Sequence, residues 1–312
     1  MTAELGLGTA ALGRPEYLNL GHGEALGGLD DVDRLRAHAE EVLDAAWAAG
    51  VRHLDAARSY GAGEAFLGHW LAAHPGRREQ ATVGSKWGYT YVAGFERGAT
   101  THETKDHSRA TYERQWPETL VALGGPPDLY LVHSLTSDSP ALGDRDLLEA
   151  LRALAGTGVR VGLSTSGPDQ ADVLRAALAL PGSPFTTVQA TWNLLEPSVG
   201  DALAEVHDAG WSVVVKEAVA NGRLSPAAGS AAPAALAEVA AELGVGVDAV
   251  ALAAASARPW ADVVLSGASS VAQLSANLEA RDLADEVARV DLTALAEPPT
   301  AYWETRSALT WT

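Results

Sequence analysis

The 312-residue sequence predicts an α/β fold built on a parallel sheet, and three observations lead to this prediction. Eight short runs rich in apolar and β-branched residues recur along the chain, which is typical of strands buried on both faces. Amphipathic segments with helical spacing lie between these runs. Several of those segments end in glycine, the residue preferred just after a helix. Eight strand-then-helix units in about 300 residues are what a (β/α)8 TIM barrel needs, so we expect residues 1–312 to form one such barrel as a single domain.

The elements follow one another in a regular order. The predicted strands are ELGLGTA, VRHLDAA, ATVGSKWG, DLYLVHS, VRVGLSTS, TTVQATWN, WSVVVKEA and DVVLSGAS. The predicted helices are VDRLRAHAEEVLDAAWAAG, GEAFLGHWLAAH, RATYERQWPETLVALG, RDLLEALRALAGTG, PDQADVLRAALAL, SVGDALAEVHDAG and VAQLSANLEAR, with PAALAEVAAELG and DAVALAAASA as an extra pair before the last strand. The stretches GRPEYLNLGHGEALGG and YTYVAGFERGATTHETKDHS fit neither pattern. Because they follow the first and third strands, we expect them to form pocket walls at the C-terminal face of the barrel.

The amino-acid composition limits which binding partners and which cellular compartment we expect for the protein. The net charge of −18 would repel a phosphate backbone, so we expect no nucleic-acid partner. The sequence contains no cysteine, which excludes disulfides, thiolate chemistry and cysteine-based metal sites. Neither a signal-peptide pattern nor an apolar run long enough for a membrane span is evident. We therefore expect a cytoplasmic protein without a membrane partner, and the composition leaves the oligomeric state open.

Polar residues interrupt the apolar strands at the ends that meet on one face of a barrel. Asp55 ends the second strand and Tyr60 follows it, while Lys86 and His133 end the third and fourth strands. The pKa of a free tyrosine, about 10, is too high for an effective proton donor at neutral pH. A neighbouring lysine would lower it, an aspartate would hold the lysine, and a histidine would donate a hydrogen bond to the same oxygen. The four residues together predict a site that protonates a carbonyl oxygen.

Each of these residues also has a structural interpretation. Taken alone, Asp55 is a helix cap, His133 a paired polar group at a strand end and Lys86 a surface lysine. Their convergence at successive strand ends favours catalysis. Trp87, which follows Lys86, and Trp192, at the end of the sixth strand, belong either to the core or to the substrate site. We expect them to contact the substrate because both lie on the mouth side.

A histidine pair and a glycine-rich motif do not indicate functional sites of their own. His102 and His107 lie close in sequence but lack a third ligand, so we interpret them as solvated loop histidines and expect no metal. Residues 6–11, GLGTAA, match a dinucleotide fingerprint, but that motif requires a helix to begin at its glycines. Gly13 and Pro15 follow here instead, which excludes a Rossmann domain. No motif of a serine hydrolase, a P-loop enzyme or a zinc protease occurs.

The segments that carry the four residues are similar to those of a known family. DAARSYGAGE, GSKWG and LYLVHS resemble the three catalytic segments of the aldo-keto reductase superfamily, in the same order. GLSTSGP, VQATWNLLE and SGASSVAQLSANLEA resemble its cofactor-binding segments, so the resemblance covers residues 6–278. It implies a bacterial NAD(P)-dependent barrel oxidoreductase acting on a small-molecule carbonyl. It also implies that Tyr60 is the general acid/base, that Lys86 and Asp55 tune it, and that His133 orients the carbonyl.

The resemblance also implies where a nicotinamide dinucleotide binds. Gln189 and Ser164 match contacts to the nicotinamide carboxamide, and Thr165 stands where the family usually has asparagine. Lys216 replaces an aromatic residue that usually stacks on the ring, although its aliphatic stem could cover the same surface. The complete set of expected cofactor contacts is Thr9, Ser164, Thr165, Gln189, Lys216, Asn221, Ser269, Gln273 and Asn277.

The form of the cofactor depends on the segment SGASSVAQLSANLEA. Gln273 stands where many family members carry an arginine against the 2′-phosphate of the adenosine. Ser269, Ser270 and the start of the following helix offer hydrogen-bond donors to such a phosphate. NADPH is therefore the expected cofactor, with NADH as the alternative because the charge-assisted contact of an arginine is missing.

The sequence as a whole predicts an enzyme that reduces an aldehyde or ketone with NAD(P)H. The alternatives are an NAD(P)+-dependent dehydrogenase of a sugar or alcohol, a nucleotide-binding regulatory barrel without turnover, and a Schiff-base enzyme that uses Lys86 as nucleophile. Retention of all four polar residues argues against the regulatory barrel. The two aromatic loops favour a substrate larger than a simple aldehyde, such as a sugar or a natural-product intermediate.

Overall fold

A closed barrel of eight parallel strands forms the centre of the molecule, which confirms the predicted fold. The computed structural model describes residues 2–14, 31–95 and 99–309, with the backbone alone at 228–230. In order around the barrel, the strands are β1 (Glu4–Gly8), β10 (Val263–Ser266), β9 (Ser212–Lys216), β8 (Phe185–Thr191), β7 (Arg160–Thr165), β6 (Leu129–Leu135), β3 (Thr82–Trp87) and β2 (His53–Asp55), which pairs with β1.

All nine predicted helices are present, and two more follow them. The two unpredicted helices are short or lie near the C-terminus, where no barrel strand follows to complete a repeating unit. The helices are α1 (Val32–Ala48), α2 (Gly63–Ala73), α3 (Arg109–Leu123), α4 (Arg145–Ala155), α5 (Gln170–Leu178), α6 (Gly200–Asp208), α7 (Ala234–Leu243), α8 (Val247–Ser256), α9 (Val271–Leu278), α10 (Ala284–Val287) and α11 (Pro299–Ala308).

Helix α4 illustrates how the sequence specifies an outer helix. The Asp144 side chain caps its N-terminus by accepting hydrogen bonds from the backbone N–H groups of Asp146 and Leu147. Leu147, Leu151 and Leu154 recur at a spacing of three to four residues and are buried against the barrel. Burial of each leucine stabilises the fold by about 1.5–3 kcal/mol. Replacing Leu151 by alanine would cost about 2–5 kcal/mol because a cavity would also form.

The stretch after β3 contains a two-stranded hairpin that the sequence pattern did not predict. Its strands, β4 (Tyr89–Tyr91) and β5 (Glu103–Lys105), pair antiparallel with Tyr89 opposite Lys105. The hairpin stands at the C-terminal face of the barrel, where the Tyr89 ring lies 5.0 Å from the ring of His133. Of the stretch after β1, residues 15–28 lie outside the described residues.

The extra helical pair before β10 has an unusually apolar composition. Helix α8 is buried along nearly its whole length, from Asp248 to Ser256. Among the described residues, no single helix is long and apolar enough to cross a membrane. Helices α7 and α8 meet that test of length and composition only together, across a bend of 92°.

Candidate active site

The four predicted catalytic side chains meet at the C-terminal ends of β2, β3 and β6. The Lys86 ammonium donates hydrogen bonds to Asp55 Oδ2 at 2.6 Å, to the Ala56 carbonyl at 2.9 Å and to the Tyr60 hydroxyl at 3.2 Å. Lys86 and Asp55 are 0% and 2% exposed, so their ion pair is excluded from water. Lys86 therefore links the buried carboxylate directly to the phenol.

His133 completes the group from the neighbouring strand. Its ring lies edge-on to that of Tyr60, with 5.6 Å between the ring centroids, and its Nδ1 atom lies 3.3 Å from the Ser59 hydroxyl. Burial, together with the positive charge of Lys86, lowers the pKa of His133 well below 6.5. The imidazole is therefore neutral, and a neutral imidazole has one N–H donor and one acceptor nitrogen.

The pKa of Tyr60 differs from the prediction. Burial, followed by the negative charge of Asp55, raises the pKa of Tyr60 well above 10. The sequence interpretation considered only the attraction of Lys86 for a tyrosinate. In the structure the ammonium is paired with Asp55, so the two opposite charges largely cancel at the phenol while burial penalises its ionised form. Tyr60 therefore keeps its proton throughout the neutral pH range.

His107 is buried, which corrects its interpretation as a solvated loop residue. Its Nε2 atom lies 2.7 Å from the carbonyl oxygen of His133, so Nε2–H donates there, and Nδ1 lies 2.7 Å from the Ser139 hydroxyl. A Cβ atom on Gly88 would come within 2.3 Å of the His107 ring, and Gly88 has φ +104°. Glycine at position 88 was the available signal that a side chain packs there. Within the described ranges, no three His, Asp or Glu side chains group as metal ligands.

Gln189 joins the carboxylate from the opposite side of the barrel. Its Nε2 atom donates to Asp55 Oδ1 at 2.9 Å, so the two carboxylate oxygens accept from Gln189 and Lys86 respectively. The Oε1 atom of Gln189 is buried and has no hydrogen-bond partner among the described residues. An unpaired buried carbonyl costs about 1–3 kcal/mol, which a ligand carrying an N–H donor would recover.

A groove of about 550 Å³ begins at Asp55 and Tyr60 and runs across the ends of β1, β9 and β10 to helix α9. Its walls are mostly glycine, alanine and other small apolar residues. Asn221, in the loop after β9, adopts the left-handed conformation with φ 55°, which asparagine tolerates better than most residues. Five of the predicted cofactor contacts line the groove: Gln189, Lys216, Asn221, Gln273 and Asn277.

Two other predicted cofactor contacts, Ser164 and Thr165, are fully buried and do not line the groove. The Ser164 hydroxyl accepts a hydrogen bond from the backbone N–H of Ser134 at 2.7 Å. Thr165 donates to the side-chain oxygen of Gln170 at 3.0 Å. Both side chains therefore stabilise the ends of β6 and β7.

Thr9 lies just below the floor of the groove. Its neighbours Gly8 and Ala10 line the groove, whereas its own hydroxyl donates to the backbone carbonyl of Asp55 at 3.1 Å. Thr9 thus connects β1 to the strand that carries the carboxylate. The strand assignment of the GLGTAA segment is confirmed, because β1 occupies Glu4–Gly8 and no helix begins at its glycines.

Uncharged groups hold one another at the far end of the groove. Gln273 Oε1 accepts from the backbone N–H and the hydroxyl of Ser269, at 2.9 and 2.8 Å. The Ser270 hydroxyl caps helix α9 by accepting from the N–H of Gln273 at 3.2 Å. Asn277 donates to the Ser266 hydroxyl at 2.8 Å. No arginine lines the groove in the part of the chain that the structure describes.

A chain of charges lies at the end of β9. The Lys216 ammonium donates to the Thr191 hydroxyl at 2.6 Å and lies 3.6 Å from Glu217. Arg306 of helix α11 binds both oxygens of Glu217, at 3.0 and 2.5 Å. Burial lowers the pKa of Lys216 to about 8. Burial alone would raise the pKa of Glu217, but the charges of Arg306 and Lys216 lower it to about 2.

Trp87 and Trp192, which we expect to contact the substrate, are buried and do not line the groove. Trp87 is fully buried and packs on Tyr112 of α3, with 5.3 Å between ring centroids. Trp192 packs on Trp260, with 5.8 Å between ring centroids. Strand alternation explains the position of Trp87: Lys86 faces the barrel interior, so the next side chain faces the outer helices.

Glu64 is a buried site residue that the sequence interpretation missed. It accepts hydrogen bonds from the Ser85 and Thr119 hydroxyls, at 2.5 and 2.9 Å, and forms an ion pair with Arg58. Because Ser85 directly precedes Lys86, this carboxylate ties the start of α2 to the strand that presents the ammonium. The available signal was a charged residue on the apolar face of GEAFLGHWLAA.

Arg14 is a second residue that was missed, because it lies in the unassigned stretch after β1. It is 0% exposed. One guanidinium nitrogen donates to the Ser59 carbonyl at 3.0 Å, and another pairs with Glu103 at 2.7 Å. Arg14 therefore joins the hairpin to the segment that carries Tyr60.

Two protein relatives share sequence with the chain. A 6-dehydroglucose reductase of Agrobacterium fabrum is 29% identical over 235 residues, covering 72% of this chain and 75% of that protein. An aldo-keto reductase of Gibberella moniliformis is 31% identical over 160 residues, covering 51% of this chain and 44% of that protein.

Solved structures share the fold. Aldo-keto reductase AKR11C1 from Bacillus halodurans (holo form) superposes with a TM-score of 0.68 and 23% identity, covering 95% of this chain and 93% of that one. Glycerol dehydrogenase AKR11B4 from Gluconobacter oxydans has a TM-score of 0.67 and 20% identity, with 92% and 91% covered.

The family assignment rests on a match to nearly the whole chain. The model of the Aldo/keto reductase family matches residues 4–292, a range that includes every barrel strand, Tyr60 and the three polar side chains around it. With this match, the chain belongs to the Aldo/keto reductase family.

Proposed function

We propose that the protein is an NAD(P)H-dependent oxidoreductase that reduces an aldehyde or ketone to an alcohol. Family membership supports an oxidoreductase acting on a small-molecule carbonyl compound. The observation that supports carbonyl reduction with NAD(P)H is the position of the Lys86 ammonium. It lies within hydrogen-bond distance of both Asp55 and Tyr60, which line one end of the groove of about 550 Å³.

In this mechanism Tyr60 is the proton donor. Its raised pKa keeps the phenol protonated until a substrate oxygen begins to carry negative charge. The substrate oxygen accepts hydrogen bonds from the Tyr60 hydroxyl and from the neutral imidazole of His133, which orient the carbonyl. Lys86 stabilises the phenolate that forms when the proton moves, and Asp55 holds Lys86 in place.

The residues of the groove fit a nicotinamide dinucleotide. The unpaired Oε1 atom of Gln189 matches the N–H donors of a carboxamide. Asn221 and Asn277 would hold the pyrophosphate and the adenine, further along the same groove. Such a cofactor supplies the hydride when it is bound. The protein supplies its binding surface, the orientation of the substrate and the proton.

We propose that the enzyme accepts both NADPH and NADH. The resemblance to the family favours NADPH, whose additional phosphate is usually bound by an arginine. Gln273 takes that place here and is already engaged with Ser269. Backbone N–H groups and hydroxyls at the start of α9 remain as donors to the 2′-phosphate. They do not supply the charge-assisted hydrogen bond by which an arginine would favour NADPH strongly over NADH.

The substrate class we propose is a sugar that carries an aldehyde. One relative, at 29% identity, is named 6-dehydroglucose reductase. In this chain the site combines an aromatic wall at Tyr89 with the hydrogen-bonding imidazole of His133, whose ring centroid lies 5.0 Å from that of Tyr89, and this pair suits a hydroxyl-rich substrate. A sugar dialdehyde and an aromatic aldehyde, compared by kcat/KM, would test the substrate class.

Replacing Tyr60 by phenylalanine tests the central assignment. We expect turnover to fall by about 10²–10⁴-fold, because a positioned general acid contributes that much. The affinity for the cofactor should stay within about twofold, since the hydroxyl alone is removed. Tyr112→Phe is the matched control, because it also removes a tyrosine hydroxyl, from a ring that packs on Trp87. Full turnover by Tyr60→Phe would refute Tyr60 as the acid.

The geometry argues against a Schiff-base mechanism at Lys86. All three N–H donors of its ammonium are used, toward Asp55, Ala56 and Tyr60. The nitrogen is therefore held as a donor and has no direction from which to attack a carbonyl. Trapping of the substrate on Lys86 by borohydride would contradict this argument.

A further inference from the structure

The groove carries one cation among its described lining residues, and that cation lies near the catalytic end. Lys216 ends β9 and shares the groove with Tyr60, Asp55 and Gln189. Its side chain is only 14% exposed, and its ammonium is held by the Thr191 hydroxyl at 2.6 Å. The positive charge is therefore fixed in position inside the site.

The strand register places this charge beside Gln189. Thr191 is paired with Lys216 across β8 and β9, and Gln189 lies two residues earlier on the same face of β8. Two residues along a strand span about 7 Å. After burial and Lys86, the charge of Lys216 is the next largest cause that lowers the pKa of His133. The field of Lys216 therefore reaches the place where the substrate is reduced.

The neighbouring carboxylate is shared between Lys216 and a second cation. Glu217 lies 3.6 Å from Lys216, but both of its oxygens are bound by Arg306. The three side chains together carry one net positive charge. The Asp55–Lys86 pair on the other side carries none.

We propose that Lys216 makes the groove bind the reduced nicotinamide cofactor more tightly than the oxidised one. The nicotinamide ring carries a positive charge when it is oxidised and none when it is reduced. A fixed ammonium in a partly buried site repels the oxidised ring and leaves the reduced ring unaffected. This selectivity would favour occupation of the groove by the reduced form and speed release of the oxidised form.

This inference rests on the proposed function, because it assumes that the ring lies beside Tyr60. Hydride transfer requires that position, since the reacting carbon must lie next to a carbonyl whose oxygen contacts Tyr60. An aromatic residue in place of Lys216 would stack on either form of the ring and would attract the positively charged, oxidised form where an ammonium repels it.

Isothermal titration calorimetry with NADPH and NADP+, and with NADH and NAD+, tests the inference without any substrate. The measured quantity is the ratio of the oxidised-form Kd to the reduced-form Kd. We expect Lys216→Met to lower this ratio about tenfold, because it keeps the aliphatic stem and removes the charge. Lys216→Arg should keep the ratio. Lys105→Met is the matched control, since that lysine lies on the hairpin and contacts Thr136 outside the groove.

The outcomes separate the two proposals. The inference is wrong if Lys216→Met binds both forms with the same Kd ratio as the wild type, whether or not the two affinities themselves change. If the wild-type protein binds neither form of either cofactor, the proposed function itself is wrong. Lys216→Gln repeats the measurement if the methionine variant does not fold.

Discussion

The two ends of the groove are built from different kinds of interaction. At the catalytic end, a buried ion pair joins Lys86 to Asp55, and Gln189 takes the remaining carboxylate oxygen. At the far end, Gln273 and Asn277 make neutral hydrogen bonds with serine hydroxyls and a backbone N–H. The catalytic end is therefore held by charged groups, whereas these contacts at the far end are neutral.

This contrast follows from what each end has to do. A buried ion pair is stable only when its geometry is good and its remaining lone pairs are satisfied, so the residues around it cannot vary independently. Neutral hydrogen bonds contribute about 0.5–1.5 kcal/mol each and can be exchanged with less disturbance. Under the proposed function, the chemistry would be held firmly at one end and cofactor choice would be adjustable at the other.

The largest effect should come from breaking the catalytic end with Lys86→Met. We expect kcat to fall by about 10³-fold or more, because the phenolate would lose the cation that stabilises it. The same change leaves Asp55 buried with Gln189 as its remaining side-chain partner and should destabilise the fold by about 3–5 kcal/mol. Steady-state kinetics and urea unfolding measure the two losses.

A second substitution separates these two losses. Adding Asp55→Asn to Lys86→Met removes the uncompensated charge, so most of the stability should return while turnover stays low. Recovery of turnover together with stability would show that Lys86 has only a structural role.

A smaller effect is expected at the junction of the two ends. Gln189→Leu removes the unpaired Oε1 atom and the contact to Asp55. We expect cofactor affinity to weaken by about tenfold, the value of one buried hydrogen bond, as measured by quenching of tryptophan fluorescence. Gln80→Leu, on an exposed turn, is the matched control. An unchanged cofactor affinity would mean that the nicotinamide carboxamide does not bind at Gln189.

A change at the far end should sharpen its cofactor selectivity. Gln273→Arg adds the cation that the groove lacks there, so we expect NADPH affinity to rise about tenfold. NADH affinity should not change, because NADH has no 2′-phosphate. Equal gains for both cofactors would mean that the arginine contacts a part that they share.

The smallest effect is expected from pH. His133 is neutral above its lowered pKa and Tyr60 is protonated below its raised pKa, so neither changes charge between these limits. In the Lys216→Met variant at saturating cofactor, kcat should therefore vary by less than about twofold between roughly pH 6.5 and 9. This variant is used because the pKa of Lys216, about 8, lies within this range. An inflection in kcat near pH 7 would contradict these protonation states.

Much of the fold was predictable because each strand shows its pattern locally. Eight apolar runs and nine helical segments appear where the sequence places them, and the barrel follows from their order. Asp55, Lys86 and Tyr60 were predictable for the same reason: a charged or polar residue at the end of an apolar strand is visible in the sequence, and parallel strands end on one face.

Other features could not be read locally. His107 and Arg14 make hydrogen bonds to residues 26 or more positions away, and nothing in their own segments indicates burial. Helix α11 and its Arg306 reach the site from outside the repeating pattern.

The sequence by itself determined the barrel, the identity of its polar residues at the strand ends and the absence of cysteine chemistry, because periodicity and composition are local properties. Only the tertiary structure decided how those residues are charged and paired. The pKa of Tyr60 rises instead of falling because Asp55 compensates Lys86 and burial excludes water. Such effects depend on distances between strands that are far apart in the chain.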